Sequence, residues 1–329
     1  MVAITGANGL LGSILAKRFL REGIPVIGIK RKNSDLQLVD DIKDSITWRE
    51  ADILDPVALN EVLQGVHTVI HTAALVSFNP RDSKKIFRVN VEGTANVVNA
   101  CLLNQVNRLL HVSSVAALGM QKGVSKVDEE TKWINNPLHT AYAESKYLAE
   151  LEVARGHEEG LHTSIINPSV ILAPGNWNQS SAKFFKYVWE EKPFYIDGII
   201  NYVDARDVVA MILTLYHSGK SGERYIANAG AISIKQFFAE IADRLNKKAP
   251  AISINHTLAR VAAFLESIRS FVTQSEPLFT KQTLNLGKDH AVFENKKSIA
   301  ELKVDYHTLE KTLNWCCEFY LRNNTINKQ

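Results

Sequence analysis

The feature that most constrains this chain is a glycine-rich segment close to its start. Residues 5–12 read TGANGLLG, between a short apolar run at residues 2–4 and a helical pattern. The start of such a helix favours the pyrophosphate of a dinucleotide, because its N–H groups are unpaired and its dipole is positive there. A glycine-rich turn without a ligand is the alternative, which the position between strand and helix disfavours. We expect the following residues to bind the cofactor: Gly6, Asn8, Gly9, Leu10, Leu11 and Gly12.

Short apolar runs alternate with helical patterns through the first half of the chain. Strands are predicted at residues 2–4, 25–29, 46–49, 66–71, 108–113 and 163–167, and helices at 10–21, 57–63, 83–103 and 138–157. Strands separated by helices of this length are typical of crossover connections in a parallel sheet covered on both faces. We therefore predict an α/β fold with a doubly wound parallel sheet.

The pattern changes after Pro168. Shorter elements follow, and helices are predicted at residues 205–217, 234–245, 256–271 and 299–322. We expect a cofactor-binding domain at residues 1–168, with its sheet completed by later strands near 200–227. Residues 169–329 are expected to form mainly a smaller, helix-rich substrate lobe.

Composition disfavours several other classes of protein. A net charge of +3 is too small to indicate nucleic acid or a membrane surface as a partner, and no apolar run approaches the roughly 18 residues of a membrane span. Three cysteines and scattered histidines indicate neither a disulfide framework nor a metal site. The chain enters the glycine loop without a signal-peptide pattern, so we expect a cytoplasmic protein. Its expected partner is a small-molecule substrate, and it is expected to be a monomer or a homodimer.

The type of cofactor depends on the end of the second predicted strand, which meets the adenosine ribose in a doubly wound sheet. Residues 29–33 read IKRKN, and no carboxylate occurs before Asp35. A carboxylate would favour NAD, whereas a guanidinium can bind the 2′-phosphate of NADP through two hydrogen bonds. We predict NADP, with NAD less favoured, and assign Arg31 as the contact and Lys32 as a helper. A solvated basic loop is the alternative.

A tyrosine and a lysine one helical turn apart indicate proton transfer. Tyr142 and Lys146 lie four residues apart in the predicted helix at 138–157, and therefore on one face of it. Reduction of a carbonyl creates an alkoxide that needs a proton, and a nearby cation lowers the pKa of a phenol from about 10. A surface tyrosine beside a solvated lysine is the usual alternative for this pair alone.

Two further polar positions support a site around this pair. Ser113 and Ser114 follow the fifth predicted strand, at the carboxyl edge where ligands bind in such sheets. A serine hydroxyl there can orient a substrate oxygen toward Tyr142. Asn90 lies in the long helix after the fourth strand, where it can hold a kink or a water that links Lys146 to solvent. A structural role for Asn90 is the more common one.

Together these motifs resemble the extended class of the short-chain dehydrogenase/reductase superfamily, the NAD-dependent epimerase/dehydratase family. The likeness is closer to the dihydroflavonol 4-reductase-like branch. It rests also on HTAA at 71–74, VSS at 112–114, NPS at 167–169, YVDARDVV at 202–209 and GERY at 222–225. The resemblance covers nearly the whole chain and implies a Rossmann-type sheet with a small C-terminal substrate lobe.

The resemblance also implies roles for individual residues. It selects Ser114 over Ser113 as the catalytic serine and places Asp52 and Ile53 at the adenine. The catalytic set is then Ser114, Tyr142, Lys146 and Asn90. Ala73, Ala74, Pro168, Tyr142 and Lys146 complete the set of residues expected to bind the cofactor.

Two absences narrow the reaction within this class. Dehydratases carry an acidic pair directly after the catalytic hydroxyl, but Ser114 is followed by residues VAA. Sugar-nucleotide enzymes place a diphosphate-binding arginine shortly before the position of Asp204, and the stretch at 197–202 has none. We therefore predict reduction of a carbonyl to an alcohol, or the reverse reaction, by a Ser-Tyr-Lys mechanism. A sugar-nucleotide epimerase and a non-catalytic NADP-binding sensor remain as alternatives.

Aromatic residues of the lobe bear on the substrate. Residues 184–194 include Phe184, Phe185, Tyr187, Trp189 and Phe194. They are equally consistent with a pocket that accepts a ring and with the core of the lobe.

Overall fold

The computed structural model describes residues 1–119, 125–134, 136, 139–177, 179–254 and 291–326. Its strands are β1 (Val2–Thr5), β2 (Val26–Lys30), β3 (Thr47–Glu50), β4 (Thr68–His71), β5 (Arg108–Val112), β6 (Lys126–Val127), β7 (His162–Pro168), β8 (Val170–Leu172), β9 (Phe194–Ile196), β10 (Ile199–Asp204), β11 (Glu223–Ala227), β12 (Gly230–Ser233), β13 (Ile252–Ile254) and β14 (Val292–Phe293). Its helices are α1 (Leu10–Arg21), α2 (Pro56–Val62), α3 (Ser83–Phe87), α4 (Gly93–Leu103), α5 (Ala141–Glu158), α6 (Ala182–Trp189), α7 (Ala205–Ser218), α8 (Ile234–Leu245), α9 (Lys296–Leu302) and α10 (Leu309–Ile326).

The main sheet contains seven strands in the order β11-β7-β5-β4-β1-β2-β3. Every neighbouring pair in it is parallel. The strand order reverses at β1, which has β2 on one side and β4 on the other. In such sheets the crevice at the carboxyl ends of the strands on either side of this reversal is where ligands bind. The predicted doubly wound α/β fold is therefore confirmed.

Burial explains why these segments form central strands. Every residue of β1, β4 and β5 is buried, as expected for strands covered by helices on both faces. On one face, α1 packs against α7, and the buried side chains of Leu15, Phe19 and Met211 belong to a single cluster there. On the other face, α2, α4 and α5 cover the sheet, with Leu59, Val97 and Val153 buried together.

The lobe has its own small core. A three-stranded sheet of β12, β10 and β8 and a pair formed by β13 and β9 accompany α6, α8 and α10. Phe185, Phe237 and Tyr320 are buried at its centre. By contrast, β11 follows α7 and returns to the edge of the main sheet beside β7. No described helix is long and apolar enough to cross a membrane.

Two of the predicted helices differ from the structure. The helix predicted at 83–103 is interrupted by a π-helical turn at Arg88–Glu92. The single helix predicted at 299–322 is wrong, because α9 ends at Leu302, its C-cap Lys303 has a left-handed φ of 56°, and α10 begins only at Leu309. The connection is held by His307, whose backbone N–H and ring bind the Asp207 carboxylate at 2.9 and 2.5 Å. The helix predicted at 256–271 lies outside the described residues.

Candidate active site

The glycine loop makes a tight turn beneath the start of α1. Gly6 has a φ of 69°, a left-handed conformation, and a Cβ built there would lie 3.2 Å from backbone atoms of Ala73. A Cβ at Gly12 would lie 2.1 Å from the carbonyl oxygen of Gly6. Gly9 is the N-cap of α1, and the first turn of this helix contains no acidic residue. The turn therefore presents open backbone and a positive helix end, which fits a dinucleotide pyrophosphate.

The predicted loop residues have different surroundings. Asn8 donates a side-chain hydrogen bond to the carbonyl oxygen of Asp35 at 3.0 Å, which braces the loop against the segment after β2. Leu11 is buried in the core below the loop. Leu10 faces the lobe, since a Cβ at Gly175 would lie 2.7 Å from its Cδ1 atom. Asn8 and Leu11 therefore fix the shape of the loop from its two sides.

A cavity of about 570 Å³ lies beyond the ends of β2 and β3, where the adenosine half of a dinucleotide would extend. Arg31, Lys32 and Asp52 line it, and both cations are exposed. The structure thus brings together the basic residues and the aspartate that the sequence assigned to this end of the cofactor.

Glu50 also lines this cavity, although no motif of the sequence predicts it there. It enters because β3 pairs with β2 so that Glu50 lies beside Lys30. Their side chains form an ion pair at 2.7 Å, and Lys30 lowers the pKa of the Glu50 carboxyl through this hydrogen bond and its charge. The Glu50 carboxylate therefore stays ionised, and the Lys30 ammonium beside it offsets part of its repulsion of a phosphate.

The two residues expected at the adenine differ in exposure. The Asp52 carboxylate accepts a hydrogen bond from the backbone N–H of Leu54 at 2.9 Å and shapes the turn after β3. Ile53 is buried, and a Cβ at Gly93 would lie 2.6 Å from its Cδ1 atom. Its carbonyl oxygen accepts from the Asn96 amide at 3.0 Å. Ile53 is thus held in place by α4.

Tyr142, Lys146 and Ser114 are brought together at the carboxyl edge of the sheet. Thr140 caps α5 through the backbone N–H of Ala143, so Tyr142 lies in the first turn of the helix. The Ser114 side chain lies close enough to the Tyr142 phenol to lower its pKa. Lys146, only 2% exposed, donates to the carbonyl oxygen of Val112 at 3.0 Å. Lys146 is therefore enclosed by the protein, which argues against the alternative of a solvated surface lysine.

In the protein chain by itself, the net shift of the Tyr142 pKa is upward, opposite to the shift expected from a nearby cation. Burial raises the pKa of Tyr142, and the Ser114 side chain opposes this rise. Burial also lowers the pKa of Lys146 to about 8, while Glu150 acts in the opposite direction. The reason is desolvation, which disfavours the charged form of both groups.

The two neighbouring serines point in different directions. Ser114 is extended, with φ of −159°, and its side chain accepts from the backbone N–H of Ala116 at the start of a 3₁₀ turn. Ser113 is buried, and its hydroxyl lies against Glu150 of α5. The geometry therefore favours Ser114 as the partner of Tyr142.

Asn90 is a brace in this structure. Its side chain exchanges two hydrogen bonds with the backbone of Leu75, at 2.7 and 3.0 Å, and donates to the Ser145 hydroxyl at 3.0 Å. These contacts occupy its amide and join the loop after β4 to α5. The π-helical turn around Asn90 agrees with the kink expected there. The catalytic assignment of Asn90 is not supported by any direct contact with Tyr142 or Lys146 among the described hydrogen bonds.

A buried chain of hydroxyls connects this brace to the glycine loop. Burial lowers the pKa of His71 to about 3, so its ring is neutral. Thr94 donates to the carbonyl oxygen of Asn90 at 2.6 Å and can accept from His71 Nε2 at 3.1 Å. His71 Nδ1 then accepts from the Thr5 hydroxyl at 2.7 Å. These hydrogen bonds thus connect Asn90 to Thr5, the first residue of the glycine loop.

The other residues predicted to bind the cofactor are Ala73, Ala74 and Pro168. Ala73 donates its N–H to the Thr5 hydroxyl at 3.3 Å, and Ala74, next along the chain, is exposed. Pro168 ends β7 and is buried opposite Ala227.

The aromatic residues of the lobe are mostly its core. Phe185 is fully buried, Phe184 packs edge-on against Phe237, and Tyr187 stacks on Phe238. The aromatic ring beside Tyr142 is instead Phe78, whose centroid lies 5.8 Å from that of Tyr142. Phe78 lies in a loop with no periodic pattern, so the sequence held no signal for it.

The fold and this constellation define the class of the protein. A doubly wound sheet with a dinucleotide loop at its switch point, and a tyrosine-lysine-serine group at the same edge, is the arrangement of a nicotinamide-dependent enzyme. A model of the NAD dependent epimerase/dehydratase family matches residues 2–230, and the chain belongs to this family. It is an NAD(P)-dependent oxidoreductase with a nicotinamide cofactor.

Similar proteins include several reductases. A proposed dihydroflavonol 4-reductase of Synechocystis is 25% identical over 94% of this chain and 91% of its own length. Sterol demethylase protein B of Methylococcus capsulatus is 28% identical, covering 86% of this chain and 87% of its own. Cinnamoyl-CoA reductase 1 of Petunia hybrida is 30% identical over 69% of this chain and 72% of its own.

Solved structures agree with the fold along almost the whole chain. The crystal structure of gox2253 has a TM-score of 0.83 and 26% identity, covering 98% of both chains. A dTDP-glucose 4,6-dehydratase of Streptomyces venezuelae, with NAD bound, has a TM-score of 0.80 and 18% identity, again over 98% of both chains. At 18% identity, the similarity to the dehydratase supports the fold only.

Proposed function

We propose that this protein is an NADP-dependent carbonyl reductase that acts on a small, ring-containing substrate through Ser114, Tyr142 and Lys146. The observation that carries this proposal is that the Ser114 and Tyr142 side chains and the buried Lys146 come together at the carboxyl edge of the sheet. When bound, the nicotinamide would supply the hydride for the carbonyl carbon.

The protonation states of the site favour reduction. Since burial raises the pKa of Tyr142, its phenol keeps its proton at neutral pH and can give it to the substrate oxygen. Ser114 is placed to donate to the same oxygen and to hold it toward the phenol. The Lys146 ammonium would stabilise the phenolate left behind, because opposite charges attract strongly in a buried site.

The preference for NADP is proposed from charge at the adenosine end. Arg31 and Lys32 line the cavity there, and the carboxylate of Glu50 is paired with Lys30. A 2′-phosphate bound there would lie near the exposed side chains of Arg31 and Lys32, and the nearby Glu50 carboxylate would already be paired with Lys30. For a ribose of NAD, the cavity offers Asp52 and Asp55, whose carboxylates already cap turns and helices of the backbone.

The reaction class is supported by what surrounds Ser114 and Asp204. The 3₁₀ turn Val115–Leu118 after Ser114 carries no acid for elimination of water. The arginine near Asp204 is Arg206, whose guanidinium pairs with that carboxylate at 2.6 Å and lies 4.3 Å from the centre of the Trp315 ring. The Arg206 side chain is therefore occupied by contacts within the protein, which disfavours a role in binding a diphosphate.

The substrate class is proposed from Phe78 and from the relatives. The ring of Phe78 offers an apolar face next to the reacting hydroxyl. The names dihydroflavonol reductase, cinnamoyl-CoA reductase and sterol demethylase protein B all refer to compounds that contain rings.

The test is oxidation of NADPH, and separately of NADH, with ring ketones, aromatic aldehydes, cinnamoyl thioesters and 3-keto steroids. We expect turnover with at least one compound and a preference for NADPH. Interconversion of sugar nucleotides without net oxidation of the cofactor would contradict the proposal and favour an epimerase. Tight binding of NADPH without turnover of any compound would favour a sensor.

A further inference from the structure

Glu150 is a buried carboxylate one helical turn beyond Lys146 on α5. It is 5% exposed, and it accepts a hydrogen bond from the side-chain amide of Asn167 at 2.6 Å. Arg224, from β11, lies 3.5 Å from its other oxygen. A carboxylate costs a large desolvation penalty at such a position and persists only with partners of this kind. No motif of the sequence analysis includes Glu150.

The partners of Glu150 lead to the catalytic serine. The same Asn167 amide nitrogen that binds Glu150 also donates to the carbonyl oxygen of Ser114 at 3.0 Å. Asn167 is completely buried at the end of β7. Glu150 therefore orients Asn167, and Asn167 fixes the backbone from which the Ser114 hydroxyl projects toward Tyr142.

Charge links Glu150 to the catalytic lysine. Lys146 is enclosed between α5 and the sheet, where His71 of β4 and His111 of β5 are buried near it. Burial keeps the pKa of both rings below its usual range, so neither histidine supplies a charge. Among the described groups, Glu150 is the one that raises the pKa of Lys146 against desolvation.

We propose that Glu150 is a positioning residue that keeps Lys146 in its ammonium form and holds the Ser114 backbone through Asn167. This inference rests on the proposed function, in which Lys146 and Ser114 serve Tyr142. Among the described hydrogen bonds and ion pairs, Glu150 contacts Asn167 and Arg224 and not Tyr142, so it acts through its neighbours. The groups that face Glu150 itself are Lys146 on the same helix, Ser113 just after β5, Asn167 on β7 and Arg224 on β11. Burial raises the pKa of the Glu150 carboxyl, and these four groups oppose that rise.

A simpler role for Glu150 would be to anchor Arg224 and the edge strand β11. This role predicts a loss of stability in variants but no change in the titration of Lys146. The pH dependence of the enzyme therefore separates the two roles.

The experiment compares Glu150→Gln with the wild type. A glutamine keeps an oxygen that can accept from Asn167 and removes the negative charge. We expect the alkaline limb of kcat/KM for NADPH to move down by about one pH unit, because Lys146 loses its ammonium form earlier. Glu158→Gln, an exposed position on the same helix, is the matched control and should keep the wild-type limb. An unchanged limb in Glu150→Gln would overturn the proposal.

Two NMR titrations test, without any measurement of turnover, whether the charges of Glu150 and Lys146 are coupled. The first follows the ε-methylene carbon of Lys146, assigned by its loss in Lys146→Met, in the wild type and in Glu150→Gln. The second follows the Glu150 carboxyl carbon in the wild type and in Lys146→Met, where coupling requires a reciprocal upward shift. This second titration does not depend on the folding of Glu150→Gln.

Absence of both shifts would refute the charge role of Glu150. Failure of the wild type to reduce any carbonyl would instead refute the proposed function, while these titrations would still report on Glu150.

Discussion

The two ends of the cofactor site are built in opposite ways. At the end with the tyrosine and lysine, Lys146 is 2% exposed and donates to the carbonyl oxygen of Val112, and the Ser114 backbone accepts from the buried Asn167. At the adenosine end, Arg31 and Lys32 are exposed on a loop after β2. Electrostatic interactions are strong and pKa values shift where water is excluded, whereas exposed charges are screened. The buried end is therefore suited to chemistry, and the exposed end to selection of the cofactor.

This comparison predicts that changes at the buried end alter turnover and leave cofactor binding intact. Tyr142→Phe should lower kcat on the order of a thousandfold, since the general acid is lost. Binding of NADPH, measured by its fluorescence, should stay close to the wild type. Tyr147→Phe, on the same helix and stacked against Trp133, is the control for loss of a hydroxyl. Full activity of Tyr142→Phe would remove the proposed mechanism.

Changes at the exposed adenosine end should weaken cofactor binding and leave turnover intact. Arg31→Ala should weaken binding of NADPH by about 10- to 100-fold, because a charged hydrogen-bonding partner of the 2′-phosphate is lost. The Kd for NADH and the value of kcat should change little. Arg21→Ala, an exposed cation at the far end of α1, serves as the control for net charge. Equal losses for NADPH and NADH would contradict the assignment of Arg31.

The buried end should also impose a pH limit on the enzyme. Since burial lowers the pKa of Lys146 to about 8, its ammonium is present below this pH and is lost as the pH rises above it. We expect kcat/KM for NADPH to fall by about tenfold per pH unit on the alkaline side. Residual activity in Lys146→Arg should lack this limb, because a guanidinium stays charged. A flat profile to pH 10 would show that the charge of Lys146 is not required.

The smallest expected effect concerns the substrate. Phe78→Ala should raise KM for a ring-containing substrate by roughly threefold to tenfold, since an aromatic contact is lost. Binding of NADPH should be unaffected. Phe194→Ala replaces an exposed ring of the lobe and should leave KM unchanged. An equal effect of both changes would argue against a ring-binding role for Phe78.

The sequence predicted the parts of the fold that depend on near neighbours in the chain. The helix Leu10–Arg21 was predicted with the bounds it has, because its apolar period and the preceding glycines are local signals. The helix at 299–322 was predicted wrongly, because the contact between His307 and Asp207 that holds the intervening chain spans a hundred residues. The same limit applies to the lobe aromatics, whose periodicity is the same in a core and in a pocket.

The same distinction between local signals and distant contacts applies to the candidate site. The sequence by itself determined the dinucleotide loop, the pairing of Tyr142 with Lys146 on one helix face and the basic end of β2. Only the tertiary structure decided that Glu50 joins the adenosine cavity, that Asn90 braces Leu75, and that Glu150 lies between Lys146 and Asn167. Spacing along one helix or loop fixes which residues are adjacent there. Desolvation and the choice of ionic partners arise only when distant strands and helices pack, and these set the charges of the site.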